Sequence, residues 1–554
     1  MPVASGQPWL APASYAQDRV WVASQLVGDA PVYHVVTSIP LSYAGPADGV
    51  VAILAATCRR HEPLRTAFRL VDGELKQVVY PNAPLPVEHL DLAGQPADEV
   101  ARRVEEILDR LIRVPLPLHE PPLWRAVLVH RGAADWLLLL GVHHSIFDGT
   151  SEPVLRAELT AWCAAAAQGC EPGLPELSVQ YADWAAWQRD RVAGRLDGLL
   201  RYWRQALADL PLVHGIPTDK PRRVERRFTG GEVLVDLPAG LDAVMPGLAR
   251  KLSATSYTLL LAAWVAVLHR LSDQDDVVIG IKLGGRDRPE QAKLIGMFVN
   301  VAVFRVRVPA TGSYRDLVHA VRAVLLDTYE HQDMPYQKLV ESLATTRLPG
   351  VAPLYQIGFN QMESSFSRRP GVVEDELSLE VSGWQARLEY DDALFEPATA
   401  TRIAAAYTCV VQAALTDPDV RLADLPMELP ARTPPTSQPD RPTAPTAGAT
   451  RVAGEFVPPR TAAEELVAGV WAEVLGRERI GALDNFFDLG GHSLLALRVI
   501  TRLSAAAEVG LSIQEFFADT TVAGVAATLE RLLAAELDEL DDDEASRRAA
   551  RSAQ

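Results

Sequence analysis

The sequence predicts an α/β protein followed by a small, separate helical domain, and three observations carry that reading. Over roughly the first 430 residues, short apolar runs of strand length alternate with longer stretches at helical spacing. Residues 430–459 break the pattern: they are rich in Pro, Thr and Ala, without apolar periodicity, and read as a semi-extended linker. Residues 462–533 show helical periodicity alone.

Each element has its own signal. Residues 124–129, 136–142, 277–283 and 299–306 are apolar runs of strand length. Residues 100–111, 199–207, 257–271, 314–330 and 398–414 repeat apolar positions at helical spacing. After the linker, Ala496, Val499, Ile500 and Leu503 are expected to bury one helix face. The 554 residues can bury several cores, and 48% are hydrophobic, as in a soluble globular protein. No apolar run approaches membrane-spanning length, and Met1 to Gly6 lack the features of a signal peptide, so a cytoplasmic location is expected. Cys58, Cys163, Cys170 and Cys409 are scattered and expected to be reduced, in or near the core. No cysteine or histidine cluster suggests a metal. A net charge of −18 argues against nucleic acid as a partner, although part of it is local to an acidic run at 536–544.

Chemistry concentrates in Val142-His143-His144-Ser145-Ile146-Phe147-Asp148-Gly149. The strand at 136–142 leads into it. Thr150-Ser151-Glu152-Pro153 then opens a helix, with hydroxyl caps, an acid in the first turn and a tolerated proline. The histidines therefore sit at a strand end, where a neutral imidazole can handle a proton near neutral pH. Asp148 can fold back to fix the local geometry, and Gly149 allows a tight turn.

This HHxxxDG pattern resembles the active-site motif of condensation domains of nonribosomal peptide synthetases and related CoA-dependent acyltransferases. Further elements match the condensation family in order: Ser14-Tyr15-Ala16-Gln17-Asp18-Arg19-Val20-Trp21, Arg60-His61-Glu62-Pro63-Leu64-Arg65-Thr66-Ala67-Phe68, Tyr181-Ala182-Asp183-Trp184-Ala185-Ala186-Trp187, Ile295-Gly296-Met297-Phe298-Val299-Asn300 and His331-Gln332-Asp333-Met334-Pro335-Tyr336. His61 and His331, read singly, are structural. The resemblance implies two chloramphenicol-acetyltransferase-like lobes in a V, with a tunnel past the histidines. His144 would contact the attacking amine, as general base or by positioning it and stabilising the charged species. His143, Asp148 and Gly149 would be scaffolding, and Arg286 would pair with Asp148. This chain departs from the family in carrying Thr150 after Asp-Gly and in lacking the usual FDLTL-like strand between Asn360 and Tyr390.

A second motif, Asp484-Asn485-Phe486-Phe487-Asp488-Leu489-Gly490-Gly491-His492-Ser493-Leu494-Leu495, resembles the attachment site of peptidyl carrier domains. Gly490 and Gly491 are read as a flexible, uncrowded turn that exposes Ser493 at a helix N-terminus. The resemblance implies a four-helix bundle with a 4'-phosphopantetheine arm on Ser493. The expected organisation is a condensation domain at 1–429, with lobes at about 1–175 and 215–429, a linker at 430–459, a carrier at 460–535 and an acidic, disordered tail at 536–554.

No glycine-rich nucleotide loop lies between the two regions. The expected partners are therefore a trans-acting adenylation enzyme, an upstream donor carrier, since only about a dozen residues precede Ser14, and a phosphopantetheinyl transferase. The acidic tail is either a docking element for a downstream synthetase protein or a solvated end. The function implied is amide formation between an upstream acyl thioester and an aminoacyl group on Ser493. The alternatives are transfer to a soluble amine or alcohol, and a non-catalytic carrier platform.

Overall fold

Central apolar strands organise the first of the two compact units of this chain, seen in a computed structural model. The structure describes residues 7–27, 31–223, 226–309, 311–343, 348, 350–362, 371–428, 456–486, 489, 491, 493–512, 515–516 and 519–539. In chain order the elements up to residue 143, which fall mostly in the first unit, are β1 (Trp9–Pro12), α1 (Tyr15–Val27), β2 (His34–Ser42), α2 (Ala47–Arg60), β3 (Thr66–Val71), β4 (Glu74–Val79), β5 (Val87–Asp91), α3 (Ala97–Arg113), β6 (Trp124–Gly132) and β7 (Asp135–His143). It continues with α4 (Ser151–Ala167), α5 (Tyr181–Ala206), β8 (Gly230–Val235), α6 (Leu241–Lys251), α7 (Ser256–Ser272), β9 (Asp276–Leu283), β10 (Asn300–Arg307) and α8 (Tyr314–Glu330). It ends with α9 (Tyr336–Leu343), β11 (Ile357–Met362), β12 (Leu377–Ser382), β13 (Gln385–Asp391) and α10 (Pro397–Thr416).

A four-stranded sheet in the order β2-β7-β6-β5 forms one lobe. Its strand β7 is buried on both faces from Trp136 to His143, which explains an unbroken apolar run where a half-exposed strand would alternate. Ile107, Leu111 and Ile112 of α3 pack on Val127, Val129, Leu137 and Leu139. That helix comes so close that a Cβ at Gly141 would lie 3.1 Å from the Leu111 backbone oxygen. β7 ends on His143, paired with His34 of β2, so the sheet itself delivers the histidine pair to its rim.

The other lobe holds a six-stranded sheet, β10-β9-β11-β12-β13-β8. β11 runs parallel to β9 and β12, and the remaining pairs are antiparallel. Helix α7 is apolar all round because it is enclosed: every residue from Thr258 to Leu268 is buried. A smaller sheet, β1-β4-β3, completes the unit.

Several expectations need correction. The helix expected at 199–207 is the last two turns of α5, which starts at Tyr181, where Asp183 accepts the Gln180 N–H at 2.9 Å. A strand does lie between Asn360 and Tyr390: β12 follows Asp375 and Glu376. Its sequence hides it because acids stand before and within it, of which Glu376 is paired with His214 and Arg222 and Glu380 with Arg387. Cys58 and Cys163 are buried, whereas Cys170 and Cys409 are exposed.

The second unit contains α11 (Ala462–Leu475), α12 (Ser493–Ala507) and α13 (Val522–Glu539). Trp471, Phe486 and Phe516 meet at its centre, with ring centroids 4.9–6.2 Å apart. Ala496, Val499, Ile500 and Leu503 are buried beside them. Helix α13 continues to Glu539 through good helix formers, so the first residues of the acidic run are helical. The rest of the tail and most of the linker lie outside the described residues. Among the described residues, no single helix is long and apolar enough to cross a membrane.

One buried lock ties the segment before β8 to the six-stranded sheet. The Ile216 N–H donates to His214 Nδ1 at 3.1 Å, so the ring donates from Nε2 to Glu376 Oε2 at 2.8 Å. Arg222 holds the other carboxylate oxygen. Burial works to raise the Glu376 carboxyl, but hydrogen bonds from His214 and Arg222, with the Arg222 charge, outweigh it and bring it from 4.5 down to about 2. A depressed acid stabilises the fold above its unfolded value and loses that contribution as pH falls through the folded one, here between about 4.5 and 2 and on the order of 3 kcal/mol. Glu376→Gln is therefore expected to melt well below wild type at pH 7 and to converge on it as pH approaches 2. A melting-temperature difference that stays constant with pH would contradict this.

Candidate active site

The histidine loop is held from beneath and behind by hydrogen bonds with distinct jobs. His143 is buried, and its Nδ1 accepts the Ser145 N–H at 3.2 Å and lies 2.8 Å from Ser145 Oγ. Because a backbone N–H only donates, the neutral His143 ring carries its proton on Nε2. Its edge meets the His34 ring, with centroids 5.7 Å apart. His144 has the opposite tautomer. Its Nδ1 lies 2.7 Å from the Phe147 carbonyl, which only accepts, so Nδ1 bears the proton and Nε2 keeps the lone pair. The ring is half-buried, and the His144 N–H is fixed on the Tyr33 carbonyl at 2.7 Å.

Asp148 is completely buried and fully used. Oδ1 accepts from the Ser151 N–H at 2.9 Å, Ser151 Oγ at 2.7 Å and Arg286 Nη2 at 2.9 Å. Oδ2 accepts from the Phe298 N–H at 3.0 Å. Arg286 reaches it from the loop after β9, donating also to the Gln291 and Leu294 carbonyls at 2.6 and 2.8 Å, with its guanidinium 4.0 Å from the Phe298 ring centre. The structure thus brings Asp148 and Arg286 together across the two lobes. Gly149 occupies the turn leading into α4. The expected hydroxyl cap is not Thr150, whose side chain makes no capping bond; Asp148 caps α4 instead.

Sequence reasoning missed several supports. Ser151 Oγ also meets the Gly296 N–H and carbonyl, both at 3.0 Å, adding a second link between lobes. Gly296 must lack a side chain, since a Cβ would come within 2.0 Å of the Tyr181 ring. Tyr181 bridges Ser14 Oγ, at 2.8 Å, and the Met297 carbonyl. Gln17 donates to the Ser145 carbonyl at 3.1 Å, which explains the Ser-x-Ala-Gln element. Asn300 donates to the Gln332 and Met334 carbonyls at 3.0 and 2.7 Å, so two matched motifs are one structural unit. His61 sits in an ion cluster with Glu158 and Arg60, and His331 stacks on Tyr202, so both are structural. Among the described residues, no group of three or more His, Cys, Asp or Glu is placed to hold a metal.

In the second unit, Ser493 is the first residue of α12, where helix N–H groups favour a phosphate. Gly491 is crowded rather than open: a Cβ there would fall 2.4 Å from the Phe486 ring. A serine at a helix start, two residues after a glycine position that admits no side chain, fits a phosphopantetheine arm. Gly490, His492 and the Ser493 side chain lie outside the described residues.

Comparison with known proteins accords with these two sites. Residues 10–433 match the condensation domain family, and residues 465–529 match the phosphopantetheine attachment site. Phosphinothricin tripeptide synthetase PhsC of Streptomyces viridochromogenes is 34% identical over 435 residues, covering 75% of this chain and 40% of that protein. Malpinin synthetase of Mortierella alpina is 32% identical over 409 residues, covering 71% of this chain and 5% of that protein. This chain therefore spans less than half the length of these relatives. Among solved structures, a four-domain nonribosomal peptide synthetase bound to AMP and glycine superposes with a TM-score of 0.66 at 21% identity, over 76% of this chain and 34% of that one. The condensation domain of the Monacolin K polyketide synthase MokA gives 0.66 at 19% identity, over 75% and 100%. At these identities the structures speak for the fold alone. The chain belongs to the condensation domain family and carries a phosphopantetheine attachment domain after it.

Removing one partner of a buried ion pair leaves the other charged, buried and uncompensated, typically at a cost of about 3–5 kcal/mol. Arg286→Met should therefore destabilise the first unit by that amount in urea unfolding. A loss under about 1 kcal/mol would show that the pair is not the clasp described.

Proposed function

We propose that this condensation-domain protein joins a carrier-bound acyl or peptidyl thioester, delivered by a separate upstream carrier, to an aminoacyl group held on its own Ser493. The observation that carries the reading is the His144 tautomer, set by the Phe147 carbonyl, which turns the Nε2 lone pair into the acceptor of the ring. Phosphopantetheine supplies the flexible thiol on which an aminoacyl group rides as a thioester. Attack by the amine forms the C–N bond and breaks the C–S bond, releasing a thiol. His144 Nε2 takes the proton that the amine sheds, the Phe147 carbonyl supports the imidazolium that results, and the imidazolium returns that proton to the departing thiolate, which leaves as the thiol. A neutral amine needs little activation, so holding it close and oriented contributes alongside proton removal.

Residues 434–464, which separate the two matched regions, are too few for an adenylation domain. This supports loading of Ser493 in trans by an adenylation enzyme, after a phosphopantetheinyl transferase has modified it. A carrier tethered through the linker raises the effective concentration of acceptor.

Two variants test the reading. Ser493→Ala should accept no arm from a phosphopantetheinyl transferase and CoA, whereas wild type gains one by intact mass. With both substrates loaded, His144→Ala should slow product formation on Ser493 by about 10²–10⁴-fold while the carrier still loads. Near-normal condensation by His144→Ala would refute the assigned site. Release of a free amide or ester by Ser493→Ala would favour a soluble acceptor over a tethered one.

A further inference from the structure

Three adjacent strands of the six-stranded sheet lack bulk at the same level. Gly280 of β9, Gly358 of β11 and Ser378 of β12 are register partners in one row. A Cβ at Gly280 would lie 2.2 Å from the Tyr355 ring. One at Gly358 would lie 2.3 Å from Asp375 Oδ2 and 2.6 Å from Ser378 Oγ. The glycines therefore make a notch with a backbone floor, into which Tyr355 and Asp375 fold.

Three cations face this notch, and each is engaged by an acid other than Asp375. Lys282 lies two residues from Gly280 and so on the same sheet face. Its Nζ is 3.5 Å from Glu374 Oε2. Glu374 Oε1 meets Arg19 Nη1 at 3.1 Å and the Tyr33 hydroxyl at 3.3 Å. Lys282 and Arg19 are thus engaged by Glu374, and Arg226, the third cation near Asp375, lies 3.5 Å from Asp391 Oδ2. Tyr33 links the notch to the histidine loop, because its carbonyl holds the His144 N–H. Asp375, only 6% exposed, has no hydrogen bond among the described residues. Ser378 Oγ is buried without a partner as well. Buried polar groups left unpaired destabilise a fold, and a native structure keeps them for a reason. Burial and the neighbouring Glu374 charge push the Asp375 carboxyl up to about 7 against the opposing charges of Lys282, Arg226 and Arg19, the response of a buried acid that none of the described cations contacts.

We propose that this notch is a specificity subsite for an ammonium or guanidinium group of a substrate, received by Asp375 and Ser378. A water molecule would satisfy the hydrogen bonds without balancing the charge; a cation does both. The inference rests on the condensation reading and names a substrate class for it. The cationic group can belong to the acyl donor or to the acceptor, and the two are separable by experiment.

The test is calorimetric titration of the full chain with unreactive amide analogues of pantetheine thioesters. The donor pair is N-acetyl-lysyl and N-acetyl-norleucyl; the acceptor pair is lysyl and norleucyl. In one pair the lysyl compound should bind at least about ten-fold tighter, as expected when a site carries a polar group for one ligand and not its isostere. Asp375→Asn should abolish that preference and leave norleucyl binding unchanged. The pair that shows the preference identifies the source of the cation. Equal affinities within both pairs, or a preference that survives Asp375→Asn, overturns the proposal. Asp375→Leu should melt no lower than wild type; a marked fall would overturn it too, by making Asp375 structural. Binding is read without turnover, so absent condensation with an intact preference would count against the catalytic reading alone.

Discussion

A single buried carboxylate, Asp148, is the constraint on which the rest of the site depends. Burying a charge is costly unless every lone pair is occupied. Here four donors occupy them: the Ser151 N–H and hydroxyl from one lobe, the Arg286 guanidinium and the Phe298 N–H from the other. The same atom pair that neutralises Asp148 therefore joins the lobes, and the four-residue separation from His144 transmits that rigidity to the His144 ring. Ser151 and Tyr181 repeat the device, each bonding to a backbone carbonyl in the 296–297 segment. Aromatic packing of Tyr181, Trp184 and Phe298 excludes water from the clasp, which strengthens its electrostatics.

The division of labour between the two histidines follows from what each ring touches. His143 turns its Nδ1 into the loop and serves the Ser145 backbone, whereas His144 gives its Nδ1 proton to a carbonyl. Neighbouring residues of one type thus hold opposite tautomers, one shaping the loop and one presenting a base. The second unit uses comparable economy. Gly491 lets the chain close on Phe486, and the next described residue, Ser493, opens a helix.

Much of this was legible in the sequence, for reasons that differ by element. β7 and α7 announce themselves because full burial demands continuous apolar runs. The histidine motif is legible because its residues are contiguous, and the Ser493 motif for the same reason. β12 was not legible: Glu376 and Glu380 look like surface residues until His214, Arg222 and Arg387 are seen beside them. The roles of Gln17, Ser151 and Tyr181 were also hidden, since their partners lie more than a hundred residues away. Local pattern reports periodicity and turns; it does not report which distant carbonyl a hydroxyl will meet.

The central claim is that the loop presents the His144 Nε2 lone pair to substrate. It is tested most directly by ¹⁵N NMR of the imidazole nitrogens in protein labelled at its 12 histidines, with His144→Gln used to assign the signal. Above the titration range, the account predicts a protonated Nδ1 and a bare Nε2 for His144. A protonated Nε2 with a bare Nδ1 would contradict it, because the Phe147 carbonyl would then hold no proton and the ring would have no base to offer.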